Sequence, residues 1–237
     1  MQSINLLTHQ WGEQTLNFSR FFSEVTSTND IAKEEFSDLN TANAIYLSDH
    51  QTQGRGRDGR SWQNMSNGEV LLSTWCFKTN HTIQHILTPL LGLGLYKSLL
   101  SLKPTLPIRL KAPNDIFLND GKLCGLLVEA SSKGQETLVY IGLGINIFAS
   151  PDVDVMTSHL SEEVDINMNN WFSFCDSFYH HAEAAIDQSK GDHLSERQCE
   201  ELLNALNYRL PESEKYTKVH PNCDLETTTN KISWINL

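Results

Sequence analysis

Long apolar runs are missing from this 237-residue chain, and no stretch reaches the roughly 18 apolar residues that a membrane helix needs. The opening MQSINLLTHQWGEQ has neither a basic start nor a continuous apolar core, so it does not read as a secretory leader. Cysteine is sparse and unpatterned: Cys76, Cys124, Cys175, Cys199 and Cys223 show no CxxC spacing, which argues against a zinc ribbon or a dithiol redox motif. Most of these thiols sit among apolar residues and are predicted to be buried and reduced; a soluble, cytoplasmic protein is expected. Positive charge is also scarce, with 18 Lys and Arg against 29 Asp and Glu and a net charge of −11. A broad surface tracking nucleic-acid phosphates is therefore excluded, and any local basic cluster stands out. There is no Walker A ending, no dinucleotide fingerprint and no HExxH; His81 and His85 are four apart without that motif and are predicted to be surface or capping groups. Repeats and low-complexity linkers are absent as well, so the length suits one sizeable core with at most a small appendage.

What is present centres on KAPNDIFLNDGKLCGLLVEA, Lys111 to Ala130. Pro113 fixes its own φ and biases Ala112 toward extended backbone, so Asn114 and Asp115 leave a tight corner before Ile116–Leu118 resumes a strand. Asn119-Asp120-Gly121 is predicted as a hairpin turn with Asp-Gly at the positive-φ positions, and Leu123 to Ala130 as the return strand. Lys122 then stands at the mouth of a rigid hairpin, and Gly125 lets a ligand or another backbone approach. The alternative is an ordinary hairpin with a solvated turn.

Further strands are predicted at Gln14–Phe22, Ala44–Ser48, Val70–Phe77, Pro107–Leu110 and Thr137–Ile147, with a short one at Ile232–Ile235. Helices are predicted over IAKEEF with Ser27 or Thr28 as N-cap, and over Thr82–Leu102, Trp171–Gln188 and His193–Tyr208. Gly92-Leu93-Gly94 inside the long helix would pack closely on the sheet. The acidic stretch from Ser150 to Asn169 reads as loop.

Three features point to a polar ligand. Ser27, Thr28, Asn29 and Asp30 form a strand-to-helix corner, either a plain cap or a set of donors for a small molecule. GRGRDGRSW, Gly54 to Trp62, cannot be a helix or a stable strand. Its glycines let amides curl toward an anion while Arg55, Arg57 and Arg60 add charged donors; the alternative is a basic solvated loop. Gly142 and Gly144 leave one side of the last long strand without side chains, where a flat ring could lie or a helix could cross, and Asn146 sits near the same end.

STND at 27–30, GRGRDGRSW at 54–62, KAPND at 111–115, GKLCGLLVE at 121–129 and GLGIN at 142–146 together resemble the biotin protein ligase family, in a short form without an N-terminal DNA-binding domain. The resemblance implies an α/β fold of α+β type: a mixed, largely antiparallel sheet flanked by helices, chiefly on one side, as in class II synthetases. It implies a catalytic domain over residues 1–210 and a short tail at 211–237, a remnant of the family's small β-barrel. The implied activity forms biotinyl-5'-AMP from biotin and MgATP, then acylates one lysine of the biotin carboxyl carrier protein of acetyl-CoA carboxylase or a related carboxylase. No nucleic-acid or membrane partner is implied, and the chain would be a monomer or homodimer. By similarity Lys122 and Arg57 are catalytic. Ser27, Thr28, Asn29, Gln51, Arg55, Gly56, Arg57, Lys122, Gly125 and Gly142 would contact biotin. Arg55, Arg57, Lys111, Asn114, Asp115 and Asn146 would contact ATP, with Asp115 toward Mg²⁺. Ala112 departs from the family's usual Trp, which Trp62 or Trp75 would replace as an aromatic wall, and Asp58 departs from a common Arg. A lipoate or octanoate ligase or transferase, or a biotin-binding module without transfer, are the alternatives.

Overall fold

The computed structural model describes residues 3–63, 65 and 68–234. Its centre is a seven-stranded sheet made of β1 (Ser19–Phe22), β2 (Asn43–Ser48), β3 (Val70–Thr79), β4 (Ile108–Lys111), β5 (Asp115–Leu118), β6 (Gly121–Lys133) and β7 (Glu136–Asn146), in the spatial order β1-β2-β3-β7-β6-β5-β4. Only the β1–β2 pair is parallel. The helices are α1 (Ile4–Thr15), α2 (Thr28–Glu35), α3 (Leu87–Leu102), α4 (Met168–Gln188) and α5 (Glu196–Asn207).

Strand alternation sorts these helices between the two faces. Ile45 and Leu47 on β2, Trp75 on β3, and Val139, Ile141, Leu143 and Ile145 on β7 join the main core with α1, α3, α4 and α5. The intervening residues Ala44, Tyr46, Cys76, Leu138 and Tyr140 form a second, smaller core with Ala32 and Phe36 from the α2 region. Four helices thus cover one face and one short helix covers part of the other. Continuing along β7 past Leu138 and Tyr140, the α2 face meets Gly142 and Gly144. There the apolar cover gives way to a cavity.

Several sequence expectations need correction. The strand predicted from Gln14 begins only at Ser19, because residues 4–15 are helix α1, capped by Ser3 Oγ accepting from the Asn5 and Leu6 amides. Ile4, Leu7 and Trp11 supply its buried stripe, and buried Asn5 bonds the Val70 carbonyl at 2.9 Å and the Leu72 amide at 2.8 Å on β3. The helix predicted from Thr82 starts at Leu87, and His81 instead bridges Thr79 Oγ1 and the Ile186 carbonyl. Gly92 packs on Leu110 of the sheet, but Gly94 packs on His181 of α4. In the hairpin turn it is Asn119, at φ 52°, and not Gly121 that takes the left-handed conformation. The tail is richer than one strand: β8 (Lys218–Val219), β9 (Leu225–Glu226) and β10 (Lys231–Ile232) make a small antiparallel sheet. Ile235, the end of the strand predicted there, lies outside the described residues. Val219, Cys223 and Leu225 join the main core beside Leu202 and Leu206 of α5, and Trp234 Nε1 donates to the Pro113 carbonyl at 3.0 Å.

Among the described residues no helix is long and apolar enough to cross a membrane. Four of the five cysteines are buried and Cys199 is partly exposed.

Candidate active site

Register across the sheet builds the floor of the site. Leu72, Gly144, Gly125 and Asp115 form one row over β3, β7, β6 and β5, and Thr74, Gly142 and Leu127 form the next. Gly125 and Gly144 are direct partners, so the floor is bare backbone where two strands meet. A cavity of about 390 Å³ opens over it. Ser27, Thr28, Asn29, Gln51, Arg55, Gly56, Arg57, Lys111, Asn114, Asp115, Lys122, Gly125, Gly142 and Asn146, every site residue expected from sequence, line that one cavity.

The bare floor is not simply open, as the glycine alternation had suggested. Trp62 lies on it: a Cβ at Gly144 would meet the indole at 2.5 Å and one at Gly125 would meet it at 3.1 Å. Asn29 lies over Gly142 in the same way, at 2.6 Å. Trp62 is thus the aromatic wall of the site. Trp75 is not, because alternation turns it to the opposite face against Trp11 and Phe178. Trp62 Nε1 has no hydrogen-bond partner among the described residues, and Lys122 Nζ sits 5.4 Å from its ring centroid, within cation–π range.

Lys122 is held from both sides. Its amide donates to the Met156 carbonyl at 2.9 Å, and its carbonyl accepts from the Ser158 amide at 3.1 Å and from Asn146 Nδ2 at 3.2 Å. The ammonium lies 2.8 Å from Asp115 Oδ1, an ion-pair distance without hydrogen-bond alignment. Asn114 fixes the corner, its side-chain amide donating to the Leu126 carbonyl and its own carbonyl accepting from the Leu126 amide. The segment supporting Lys122, residues 151–158, is loop, as expected for the acidic stretch from Ser150 to Asn169. Pro151, Val153, Val155 and Thr157 line the cavity. Gly121 is where this segment touches the hairpin: an added Cβ would stand 2.2 Å from Ser158 Oγ and 2.7 Å from the Thr157 carbonyl carbon. Backbone on the far side cannot give way, so Gly121→Ala is expected to cost roughly 1–3 kcal/mol. A thermal melt should show a Tm several degrees lower; an unchanged Tm would mean the segment is not anchored there.

The glycine–arginine loop makes one 3₁₀ turn at Arg57–Gly59, with Asp58 at φ 56° and Gly59 at φ 72°. A residue such as Asp tolerates the left-handed region better than most, which suits its replacement of a longer residue there. Arg55 pairs with Asp30 of α2, tying the loop to the STND corner. Thr28 donates its amide to Gln51 Oε1 at 2.7 Å, and its hydroxyl oxygen lies 3.1 Å from the same atom. Ser27 occupies the cap position of α2 without a side-chain cap bond. The corner is therefore more than a capped helix end.

Titration is shaped by burial and partners. Burial pushes the Cys124 thiol up and nearby Asp115 adds to the effect, so a cysteine between Lys122 and Gly125 stays a neutral thiol. Burial alone would raise Glu129, but hydrogen bonds from Lys33 and Asn29 outweigh it and hold the carboxyl below its ordinary value. Its stabilising contribution is present above the unfolded carboxylate pKa and is lost as pH falls through the lower folded one. Among the described residues no group of three His, Cys, Asp or Glu could hold a metal ion.

The chain is 30% identical over 135 residues to the biotin–[acetyl-CoA-carboxylase] ligase of Mycobacterium tuberculosis, covering 55% of this chain and 49% of that protein. It is 32% identical over 125 residues to the bifunctional ligase/repressor BirA of Escherichia coli, covering 52% of this chain and 38% of that protein. The match thus spans about half or less of these relatives. In fold it resembles the biotin protein ligase from Aquifex aeolicus in complex with biotin and ATP, with a TM-score of 0.67 at 21% identity, covering 91% of this chain and 94% of the other. The Biotin/lipoate A/B protein ligase family model matches residues 21–146, more than half of the sequence, which include the cavity residues from the STND corner to Asn146. The chain belongs to that family.

Proposed function

We propose that this chain is a biotin–protein ligase: it activates biotin with ATP as biotinyl-5'-AMP and transfers the biotinyl group to a lysine of a biotin carboxyl carrier domain. The observation that carries the reading is that one cavity is lined both by the hydroxyl and amide groups of Ser27, Thr28, Asn29 and Gln51 and by the cations Lys111, Lys122, Arg55, Arg57 and Arg60. A urea ring needs donors and acceptors; a carboxylate attacking a phosphate needs cations. In the first step the biotin carboxylate oxygen attacks the α-phosphorus and the bond to pyrophosphate breaks. Both partners are anions, so charge supplied as phosphorus gains its fifth ligand lowers the barrier. Lys122 takes that role, Arg55 and Arg57 hold the adenylate, and Lys111, Asn114 and Asn146 face the nucleotide. In the second step the acceptor amine attacks the acyl carbon, AMP leaves, and the amine's proton passes to solvent. Positioning suffices there because the anhydride is already activated.

Among the described residues that line the cavity Asp115 is the one carboxylate, and a single carboxylate suits an ion that keeps most of its water. Asp115 would help to hold Mg²⁺ brought in with ATP, which would supply positive charge to neutralise the phosphates.

The test is pyrophosphate release from MgATP with biotin, lipoate or octanoate supplied in parallel. Release with biotin alone is expected. Release with lipoate or octanoate instead would move the chain to the other branch of its family, and binding of biotin without release would make it a binding module.

A further inference from the structure

Glu129 is not part of the cavity lining, yet its carboxylate is bonded to Asn29, which is. It stands on β6 opposite Tyr140, on the α2 face, with its carboxylate against α2. One oxygen accepts from Asn29 Nδ2 at 2.8 Å and the other from Lys33 Nζ at 2.6 Å. A carboxylate held ionised can only accept, so the Asn29 amide must turn its nitrogen toward Glu129. Its oxygen is then forced toward Thr74 Oγ1, which must donate to it. Having one proton, Thr74 can only accept from Thr28, whose oxygen lies 2.8 Å away. An amide's two ends differ only by what surrounds them, and here an acceptor-only neighbour removes the ambiguity.

We infer that Glu129 is a positioning residue that sets the hydrogen-bond polarity of the Asn29–Thr74–Thr28 relay, so that Asn29 offers its second N–H to an acceptor oxygen of the ligand. This rests on the proposed biotin reading, in which that acceptor is the urea oxygen. A flipped Asn29 would place its carbonyl there, and two oxygens would face each other. Lys33 plays a different part: it balances the charge of Glu129 without touching the relay, so the two residues are separable by mutation.

The experiment compares wild type, Glu129→Ala, Glu129→Gln and Lys33→Met in biotin-dependent pyrophosphate release and in the side-chain amide NMR spectrum of ¹⁵N-labelled protein. Glu129→Ala is expected to raise KM for biotin about tenfold, the effect of losing one charged hydrogen bond of roughly 1.5 kcal/mol, with KM for ATP unchanged. Glu129→Gln keeps an acceptor oxygen and should recover most of that loss, and Lys33→Met should leave KM for biotin within about twofold of wild type, as expected for a partly exposed ion pair. In the spectrum, one Asn29 amide proton should be shifted downfield in wild type and Lys33→Met and lose that shift in Glu129→Ala. Equal effects of Glu129→Ala and Lys33→Met, a parallel rise of both KM values, or an Asn29 signal indifferent to Glu129 would each overturn the inference. Absence of turnover with biotin alongside the expected NMR pattern would instead overturn the biotin reading and leave the relay standing.

Discussion

Lys122→Ala is expected to slow biotin-dependent pyrophosphate release by about 10²–10³-fold, the scale on which a preorganised charge at a transition state is felt. The residue is prepared for that role by everything around it. Its backbone is pinned by Met156, Ser158 and Asn146, so the side chain leaves from a fixed point. Its ammonium stands between the carboxylate of Asp115 and the face of Trp62, and either contact alone would let it swing. A phosphate oxygen that takes the place of Asp115 beside Lys122 exchanges one anion for another, so the ammonium is never left without a partner. The substitution leaves the half-buried Asp115 carboxylate without its cation, and a modest fall in Tm is expected beside the kinetic loss. Lys122→Arg is not expected to restore the rate, because a planar fork in place of a compact point charge would press into the Trp62 ring. Quenched single-turnover assays on folded variants measure this, and a rate for Lys122→Ala within a few-fold of wild type would remove Lys122 from the chemistry.

Gly142→Ala is expected to raise KM for biotin by roughly 100-fold, the scale of a 1 Å misplacement of a positioning group. The added methyl would come within 2.6 Å of Asn29 Oδ1 and 3.1 Å of its Nδ2. A flexible side chain could step aside, but Asn29 is held by Thr74 on one side and Glu129 on the other, inside the first turn of α2. The methyl therefore displaces the helix or breaks the relay, and either outcome moves the ligand-facing groups. Isothermal titration with biotin, alongside a melt to verify folding, separates this from general instability. Wild-type affinity would show that Asn29 is not a ligand contact.

The five motifs were legible because their residues are unusual for the elements they sit in. A lysine at a hairpin mouth, three arginines in a glycine loop of an acidic chain and glycines alternating along β7 all conflict with plain structural roles, and each proved to line the cavity. The hairpin and strand alternation also fixed which face carries the site. Helix α1 carries local signals in its Ser3 cap and its stripe of Ile4, Leu7 and Trp11, but polar Asn5 and Thr8 interrupt its buried face, and only the bonds of Asn5 across to β3 account for that burial. The part played by residues 151–158 was hidden for a similar reason: their carbonyl and amide groups, not their side chains, brace Lys122. Trp62 was foreseen as one of two aromatic candidates, and only the alternation of β3 decides against Trp75. Glu129 stood in a quoted motif, but its effect passes through Asn29 and needs the register of β6 against β7 to be seen. Sequence was strongest where chemistry meets the ligand and weakest one contact behind it.

The ligase reading is met most directly by transfer itself. Intact-mass measurement of a biotin carboxyl carrier domain, after incubation with this chain, biotin and MgATP, should show a single added biotinyl mass, mapped by peptide analysis to one lysine and absent with Lys122→Ala. A carrier of unchanged mass, in a reaction where biotin is bound, would contradict it.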